Sequence, residues 1–179
     1  MLSRVFEQCG GVAIRYDNRL DEAMDFVKDE KFWKDQLADP ADWYHFAFPC
    51  TNLTVARQRP TPSTRSKEHP YGDACIPDAA ACNELVRLMA QRALALLSRV
   101  VLVTFENPLL SYGFLMDELL LLIGLPHFVA ARSDHYRSGT PYQKAQVWTG
   151  NSEGLATCAA VCNHPQKHQF PIHLSLIHL

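Results

Sequence analysis

Apolar residues follow two different spacings along this chain, and the two spacings alternate. Residues 79–98 place leucine, methionine and alanine side chains three or four positions apart, which predicts a long amphipathic helix. Continuous apolar runs of five or six residues predict buried strands instead. Shorter helices are predicted over 2–9, 30–38 and 111–123, and strands over 12–16, 43–48, 100–105 and 127–131. This alternation is typical of a three-layer α/β fold with a mostly parallel sheet.

The segment 51–77 interrupts the alternation. It is rich in proline, serine and threonine, and between 51 and 72 it carries four cationic residues against one acid. Those four residues are Arg57, Arg59, Arg65 and Lys67. A long irregular loop in a compact domain is commonly functional, and a solvated or disordered loop is the alternative. The sequence therefore predicts a basic loop between a strand and the long helix.

Length and composition describe one ordinary globular domain. The chain has 179 residues, of which 47% are apolar and 20% charged, and its net charge is -2. That balance gives no overall attraction to nucleic acid, so DNA binding would need a local basic patch. Six cysteines without an apolar leader predict free thiols in an intracellular protein, nuclear if eukaryotic and not secreted. The leucine-rich run 119–123 is too short to span a membrane, so no membrane partner is expected.

Two short motifs carry the candidate chemistry. Phe48-Pro49-Cys50 ends one predicted strand, and Glu106-Asn107-Pro108 follows another, with 56 positions between Cys50 and Glu106. Groups that follow parallel strands meet at the carboxyl edge of the sheet, where open α/β folds bind their ligands. A thiol that attacks an electron-poor ring, beside an acid and an amide that hold the ring's edge, suits chemistry on a nucleobase.

In this order and context, the motifs resemble those of the DNA cytosine-5 methyltransferase catalytic domain. The chain looks closest to divergent members associated with mobile elements. Phe48-Pro49-Cys50 is similar to the family's Pro-Pro-Cys, and Glu106-Asn107-Pro108 to its Glu-Asn-Val. The segment 138–148 lies where the family has Gln-x-Arg-x-Arg. The resemblance covers residues 2–150 and implies a Rossmann-like, S-adenosylmethionine-dependent methyltransferase fold over 1–150, with a short extension over 151–179.

The resemblance also implies roles for the motif residues. Cys50, preceded by Pro49, would add to C6 of a flipped cytosine and make C5 nucleophilic toward a methyl sulfonium. Glu106 would protonate or hydrogen-bond the ring nitrogen N3. Asn107 would help to fix the loop around Cys50.

Further residues would bind the two partners that the resemblance implies, DNA and S-adenosylmethionine. Asp17 would accept the ribose hydroxyls of the cofactor, and Asp25 would lie on its adenine side. The cationic residues would contact DNA phosphates, and such contacts do not depend on base sequence. These are Arg57, Arg59, Arg65, Lys67 and Lys144.

The chain also departs from the family pattern. The strand ending in Phe-x-Gly-x-Gly, which should precede the helix over 2–9, is absent from the sequence, and Phe48 replaces the first proline of the cysteine motif. The later arginines are replaced by Gln143, Lys144 and Gln146. These departures predict a truncated domain without its first strand, impaired or inactive in methyl transfer. The alternative is a non-catalytic module that keeps the fold and binds nucleic acid or protein through its basic loop.

The C-terminal segment offers a different interpretation. Cys158, Cys162, His164 and His168 form a complete zinc ligand set by residue type. The gap between the cysteine pair and the histidine pair is one residue, far shorter than the loop of about a dozen residues in zinc fingers. The competing prediction is a helix over 154–162 followed by an irregular His-rich end. A Cys–His hydrolase built on Cys50 and the segment 134–136 lacks a recognisable oxyanion element.

Overall fold

The structure is a computed structural model that describes residues 7–13, 28–50, 52–54, 63–134, 145–159 and 161. The chain forms two compact units, Met1–Asp39 and Pro40–Leu179. The predicted strand over 12–16 extends beyond the described residues, and Asp17 and Asp25 lie outside them.

The first unit contains helix α1, Glu30–Ala38, as the sequence predicts. Asp29 caps its N-terminus by accepting a hydrogen bond from the Phe32 amide at 3.0 Å. Trp33 is buried, and its ring packs edge-on against that of Phe32 at 5.2 Å. Earlier in this unit, the predicted helix over 2–9 is described only at its end. There Gly10 has φ +88° and closes the turn, which glycine adopts without steric cost.

The second unit is built on a four-stranded sheet with the order β1-β2-β4-β3. Its strands are β1 (Trp43–Ala47), β2 (Leu102–Pro108), β3 (Val129–Asp134) and β4 (Ala145–Gly150). β1 and β2 are parallel, and β4 is antiparallel to both of its neighbours. Three strands therefore run in one direction and β4 runs in the other. The α/β class is confirmed, and the sheet is mixed, because β4 is inserted between β2 and β3.

Helix α2, Pro77–Leu97, connects the two parallel strands. It starts at a proline, whose missing N–H and fixed φ suit the first helical position, and so begins two residues before the predicted 79. α2 packs against β2 and against helix α3, Asp117–Ile123. The buried stripe of α2 has helical spacing and consists of Ala79, Cys82, Val86, Met89, Ala90, Ala93 and Leu96.

β2 differs from its prediction in a way that changes the site. The sequence predicts a strand over 100–105 with the Glu-Asn motif beyond it, but β2 runs to Pro108 and contains both Glu106 and Asn107. The strand is longer because β4 pairs with it as far as Pro108. Val100 lies outside the strand, with φ +58°, in the turn after α2. Since neighbouring strand residues point to opposite faces, Glu106 and Asn107 face different sides of the sheet.

The predicted helix over 111–123 is divided in two. A 3-10 helix, Tyr112–Leu115, is separated from α3 by Met116, whose extended backbone (ψ 138°) interrupts helical geometry. The last predicted strand, over 127–131, is β3, displaced toward the C-terminus by pairing with β4. Across the described ranges, no helix is long and apolar enough to cross a membrane.

Candidate functional site

The two faces of the sheet have different chemistry. On one face Phe46 and Phe105 are buried, and their rings stack at 5.2 Å. Asn107 shares that face by strand alternation and is 2% exposed. The opposite face, called the polar face below, carries a connected set of polar and aromatic side chains. These are Trp43, His45, Thr104, Glu106, Gln146 and Trp148.

Glu106 is the carboxyl group at the centre of the polar face. The Gln146 side-chain amide donates a hydrogen bond to its Oε1. Its Oε2 lies 3.8 Å from Nε2 of His45. The side chains of Glu106 and His45 are about one-fifth exposed, at 21% and 22%. A ligand can therefore reach this carboxyl group while protein groups hold its orientation.

His45 is held by a contact with Thr104 and by a ring stack with Trp148. Its Nδ1 lies 2.9 Å from the Thr104 hydroxyl oxygen, which also accepts a hydrogen bond from Trp43 Nε1 at 2.9 Å. The imidazole ring stacks on Trp148, with centroids 5.4 Å apart and an interplanar angle of 26°. These contacts direct Nε2 toward Glu106.

Asn107 connects β2 to the segment that leads to Cys50. Its Nδ2 donates a buried hydrogen bond of 2.7 Å to the Phe48 carbonyl, two residues before the cysteine. Cys50 is half-buried with a free thiol, and Pro49 is exposed. The Cys50 carbonyl accepts a 3.1 Å hydrogen bond from the Leu53 amide. The backbone is therefore hydrogen-bonded both at Phe48 and at Cys50.

The strand register brings the two motifs toward each other. Ala47, the last residue of β1, pairs with Glu106. Cys50 follows three residues later, a separation that spans at most about 11 Å of backbone. The structure thus brings the cysteine segment, the Glu-Asn motif and β4 to one region of the sheet.

Arg65 corrects one prediction for the basic loop. It is 6% exposed, and its guanidinium donates to Pro70 O at 2.5 Å, Asn83 Oδ1 at 2.8 Å and Ala79 O at 3.2 Å. The side chain therefore fastens the loop to α2 and does not present its charge to a phosphate. Lys67 is exposed. Arg57, Arg59 and Lys144 lie outside the described residues.

Arg65 and Lys67 each carry one positive charge, so replacing each with alanine distinguishes a buried anchoring side chain from an exposed one. We expect Arg65→Ala to lower the free energy of unfolding by about 2 kcal/mol, because buried carbonyl and amide oxygens lose a charged donor. Lys67→Ala should change it by less than about 0.5 kcal/mol. Urea denaturation of both variants measures the difference. Equal effects from the two substitutions would contradict the anchoring role of Arg65.

Tyr71 anchors the end of the same loop to α3. Its hydroxyl donates to Glu118 Oε2 at 2.9 Å and accepts from the Asp117 amide at 3.0 Å. Burial, with a smaller contribution from the nearby carboxylates, raises the pKa of Tyr71 to about 12. The phenol therefore remains a proton donor to Glu118 well above neutral pH, and this anchor weakens only as the pH rises from about 10 toward that value.

The residues assigned to cofactor or metal lie largely outside the described ranges. This holds for Asp17, Asp25, Cys162, His164 and His168, and for the side chain of Cys158. The predicted helix over 154–162 is instead a 3-10 helix, Glu153–Cys158, that ends where Ala159 becomes extended. Among the described residues no three His, Cys, Asp or Glu side chains form a group that could hold a metal.

Five polar-face residues were not site candidates from the sequence: Trp43, His45, Thr104, Gln146 and Trp148. Their common signal is a polar or amphipathic residue at every second position of an otherwise apolar strand. This alternation alone does not predict that Glu106 and Gln146 are in contact. That contact also requires the antiparallel pairing of β2 and β4. The chain matches no protein-family model and no curated protein.

Proposed function

We propose that this chain is a DNA cytosine-5 methyltransferase-like domain that binds a flipped cytosine and adds the Cys50 thiol to it. Glu106 acts as the acid on the ring's edge, and Asn107 positions the cysteine segment. The proposal rests on the resemblance of the motifs and on the contacts that join them.

Two side-chain hydrogen bonds join the three motif segments, and this observation carries the proposal. Asn107 donates to the Phe48 carbonyl beside the cysteine, and Gln146, from the region of the later family motif, donates to Glu106. These contacts span 59 and 40 sequence positions. Both contacts join segments that the resemblance assigns to one site.

The chemistry uses one thiol and one carboxylic acid. The Cys50 thiol loses its proton to water, and the thiolate forms a carbon–sulfur bond to C6 of the ring. The C5–C6 π pair moves to C4–C5, and the C4–N3 π pair moves onto N3, which takes the proton of Glu106. Expulsion of the thiolate reverses these steps. No oxidant or reductant is needed.

The proposal stops at thiol addition. Asp17 and Asp25, to which the resemblance assigns S-adenosylmethionine, lie outside the described residues. When bound, S-adenosylmethionine would supply the methyl group. Calorimetric titration with S-adenosylmethionine decides this separately: binding extends the proposal to methyl transfer, and no binding limits it to base binding and thiol addition.

A trapped adduct tests the proposal directly. DNA in which 2-pyrimidinone replaces cytosine has a more electrophilic C6 and accepts a thiol without methyl transfer. We expect the purified chain to form an adduct with it that survives denaturing electrophoresis, and Cys50→Ser to abolish that adduct. Glu106→Gln should slow adduct formation by about 100-fold, the scale of general acid catalysis.

Cys75→Ser is the matched control, since Cys75 is also a free cysteine and is more exposed than Cys50. It should leave adduct formation unchanged. No adduct from the unaltered chain, or an adduct that persists in Cys50→Ser, overturns the proposed function. DNA binding without an adduct would favour the alternative of a non-catalytic nucleic-acid-binding module.

A further inference from the structure

We propose that His45 is a positioning residue for Glu106, locked in the tautomer that carries its proton on Nε2. In this role, which rests on the proposed function, His45 stabilises the carboxylate that Glu106 becomes after giving its proton to the ring. His45 belongs to neither motif, and the contacts of the polar face alone lead to this assignment.

The tautomer follows from the hydrogen bonds of Thr104. Its hydroxyl oxygen accepts from Trp43 Nε1, which can only donate. The remaining contact of that hydroxyl is His45 Nδ1 at 2.9 Å. If Nδ1 carried the imidazole proton, the hydroxyl hydrogen of Thr104, a residue only 2% exposed, would have no acceptor among the described residues. Because buried donors are nearly always satisfied, Thr104 donates to Nδ1, and the neutral imidazole carries its proton on Nε2.

That proton faces the carboxyl group. Nε2 lies 3.8 Å from Oε2 of Glu106, beyond hydrogen-bond length but within one small side-chain adjustment of it. Gln146 already donates to Oε1. When Glu106 releases its proton to ring N3, the carboxylate then has one donor for each oxygen. A charge-assisted hydrogen bond from Nε2–H is stronger than any contact it makes to the neutral acid, so His45 favours the state after proton transfer.

Stacking on Trp148 limits how the His45 imidazole can move when Glu106 becomes a carboxylate. The near-parallel rings, 26° apart, restrict flipping of the histidine, so the ring adjusts by sliding within its own plane. The polar face therefore holds the donor ready while leaving it free to close a short gap.

The first test needs no DNA. Long-range ¹H–¹⁵N correlation spectra of the full chain, at a pH where the ring is neutral, report which nitrogen of His45 is protonated. We expect Nε2–H in the unaltered chain and in Thr104→Ser, which keeps the hydroxyl. In Thr104→Val the hydroxyl is lost, and the spectra should show a mixture of tautomers. Nδ1–H in the unaltered chain, or the same tautomer in Thr104→Val as in Thr104→Ser, overturns the inference.

The second test compares two substitutions of His45 in adduct formation with 2-pyrimidinone DNA. His45→Gln keeps an N–H donor near the position of Nε2, whereas His45→Phe keeps the ring that stacks on Trp148 and removes the donor. We expect His45→Phe to slow adduct formation by about tenfold and His45→Gln to restore most of the rate.

The results separate the inference from the proposed function. Equal rates in His45→Phe and the unaltered chain overturn the positioning role, and so does a loss in His45→Gln as large as that in His45→Phe. If the unaltered chain forms no adduct while its spectra show Nε2–H, the proposed function fails, and with it the role of His45 in proton transfer. A changed tautomer in an adduct-forming chain overturns only the inference.

Discussion

Replacing Gly150 with alanine is expected to lower the free energy of unfolding by about 3 kcal/mol, the upper range for overpacking. A Cβ at this position would lie 2.2 Å from the Val103 carbonyl oxygen and 3.0 Å from the Thr104 Cα. Both atoms belong to the backbone of β2, so no rotamer change relieves the clash. Relief requires β4 to move away from β2, although Gly150 is paired with Thr104 in that sheet.

Gly154→Ala provides the matched control for this substitution. Its nearest neighbour would be the Ser152 Oγ at 3.4 Å, an ordinary contact with a side chain that can rotate. We expect a change below about 0.5 kcal/mol there. Urea denaturation of both variants measures the two values. A Gly150→Ala variant as stable as the parent would contradict the pairing of β2 with β4, and with it the approach of Gln146 to Glu106.

The local elements of this fold could be predicted from the sequence because their signals are local. The apolar spacing within α2 and the helical pattern over 30–38 both act over a few residues. Those predictions are confirmed within the usual uncertainty of helix ends. The apolar run over 43–48 likewise predicted β1. Local pattern thus predicted α1, α2 and β1 close to where they form, whereas the helix predicted over 111–123 is divided and the one predicted over 154–162 is a 3-10 helix.

The remainder of the fold depends on pairing between distant segments, which leaves little trace in a local pattern. β2 extends through Pro108 because β4, about 40 residues later, pairs with it, and the sheet becomes mixed for the same reason. The charge of Arg65 suggested a surface contact. Its burial depends on carbonyl groups at Pro70 and Ala79 that no composition argument can identify.

The candidate site shows the same division. Cys50, Glu106 and Asn107 could be selected from the sequence because motif letters are local. His45 could not, since its importance depends on a stack with Trp148 about 100 positions later and a contact with Glu106 on a neighbouring strand. The motifs therefore select the candidate groups, while the sheet register determines which side chains contact them.

Asn107→Asp is expected to lower the free energy of unfolding by about 4 kcal/mol at neutral pH. The amide of Asn107 donates to the Phe48 carbonyl at 2.7 Å in a site that is 2% exposed. A carboxylate there has no hydrogen to donate, and it would bury a charge against a carbonyl oxygen, one of the most costly substitutions in a protein interior.

The loss of stability in Asn107→Asp should increase as the pH rises. Burial raises the pKa of the introduced carboxyl group in the folded state above its unfolded value of about 3.9. Below that value the group is neutral and can donate to the Phe48 carbonyl, so the variant is least destabilised. Its stability relative to the parent is lost as the pH rises through the folded-state pKa. Urea denaturation of both proteins at about pH 4 and pH 8 measures this difference, and a pH-independent loss would contradict it.

Thr149→Val tests whether replacing any buried polar side chain on β4 or β2 destabilises the protein as Asn107→Asp does. The Thr149 side chain is 1% exposed, and its Oγ1 has no hydrogen-bond partner among the described residues. Replacing that hydroxyl with a methyl group removes an unpaired polar atom, so we expect stability to stay within about 1 kcal/mol of the parent or to rise. Adduct formation should likewise survive in Thr149→Val and decline in Asn107→Asp under conditions where both are folded. The reason is that Asn107, unlike Thr149, donates a hydrogen bond to the backbone of the segment that leads to Cys50.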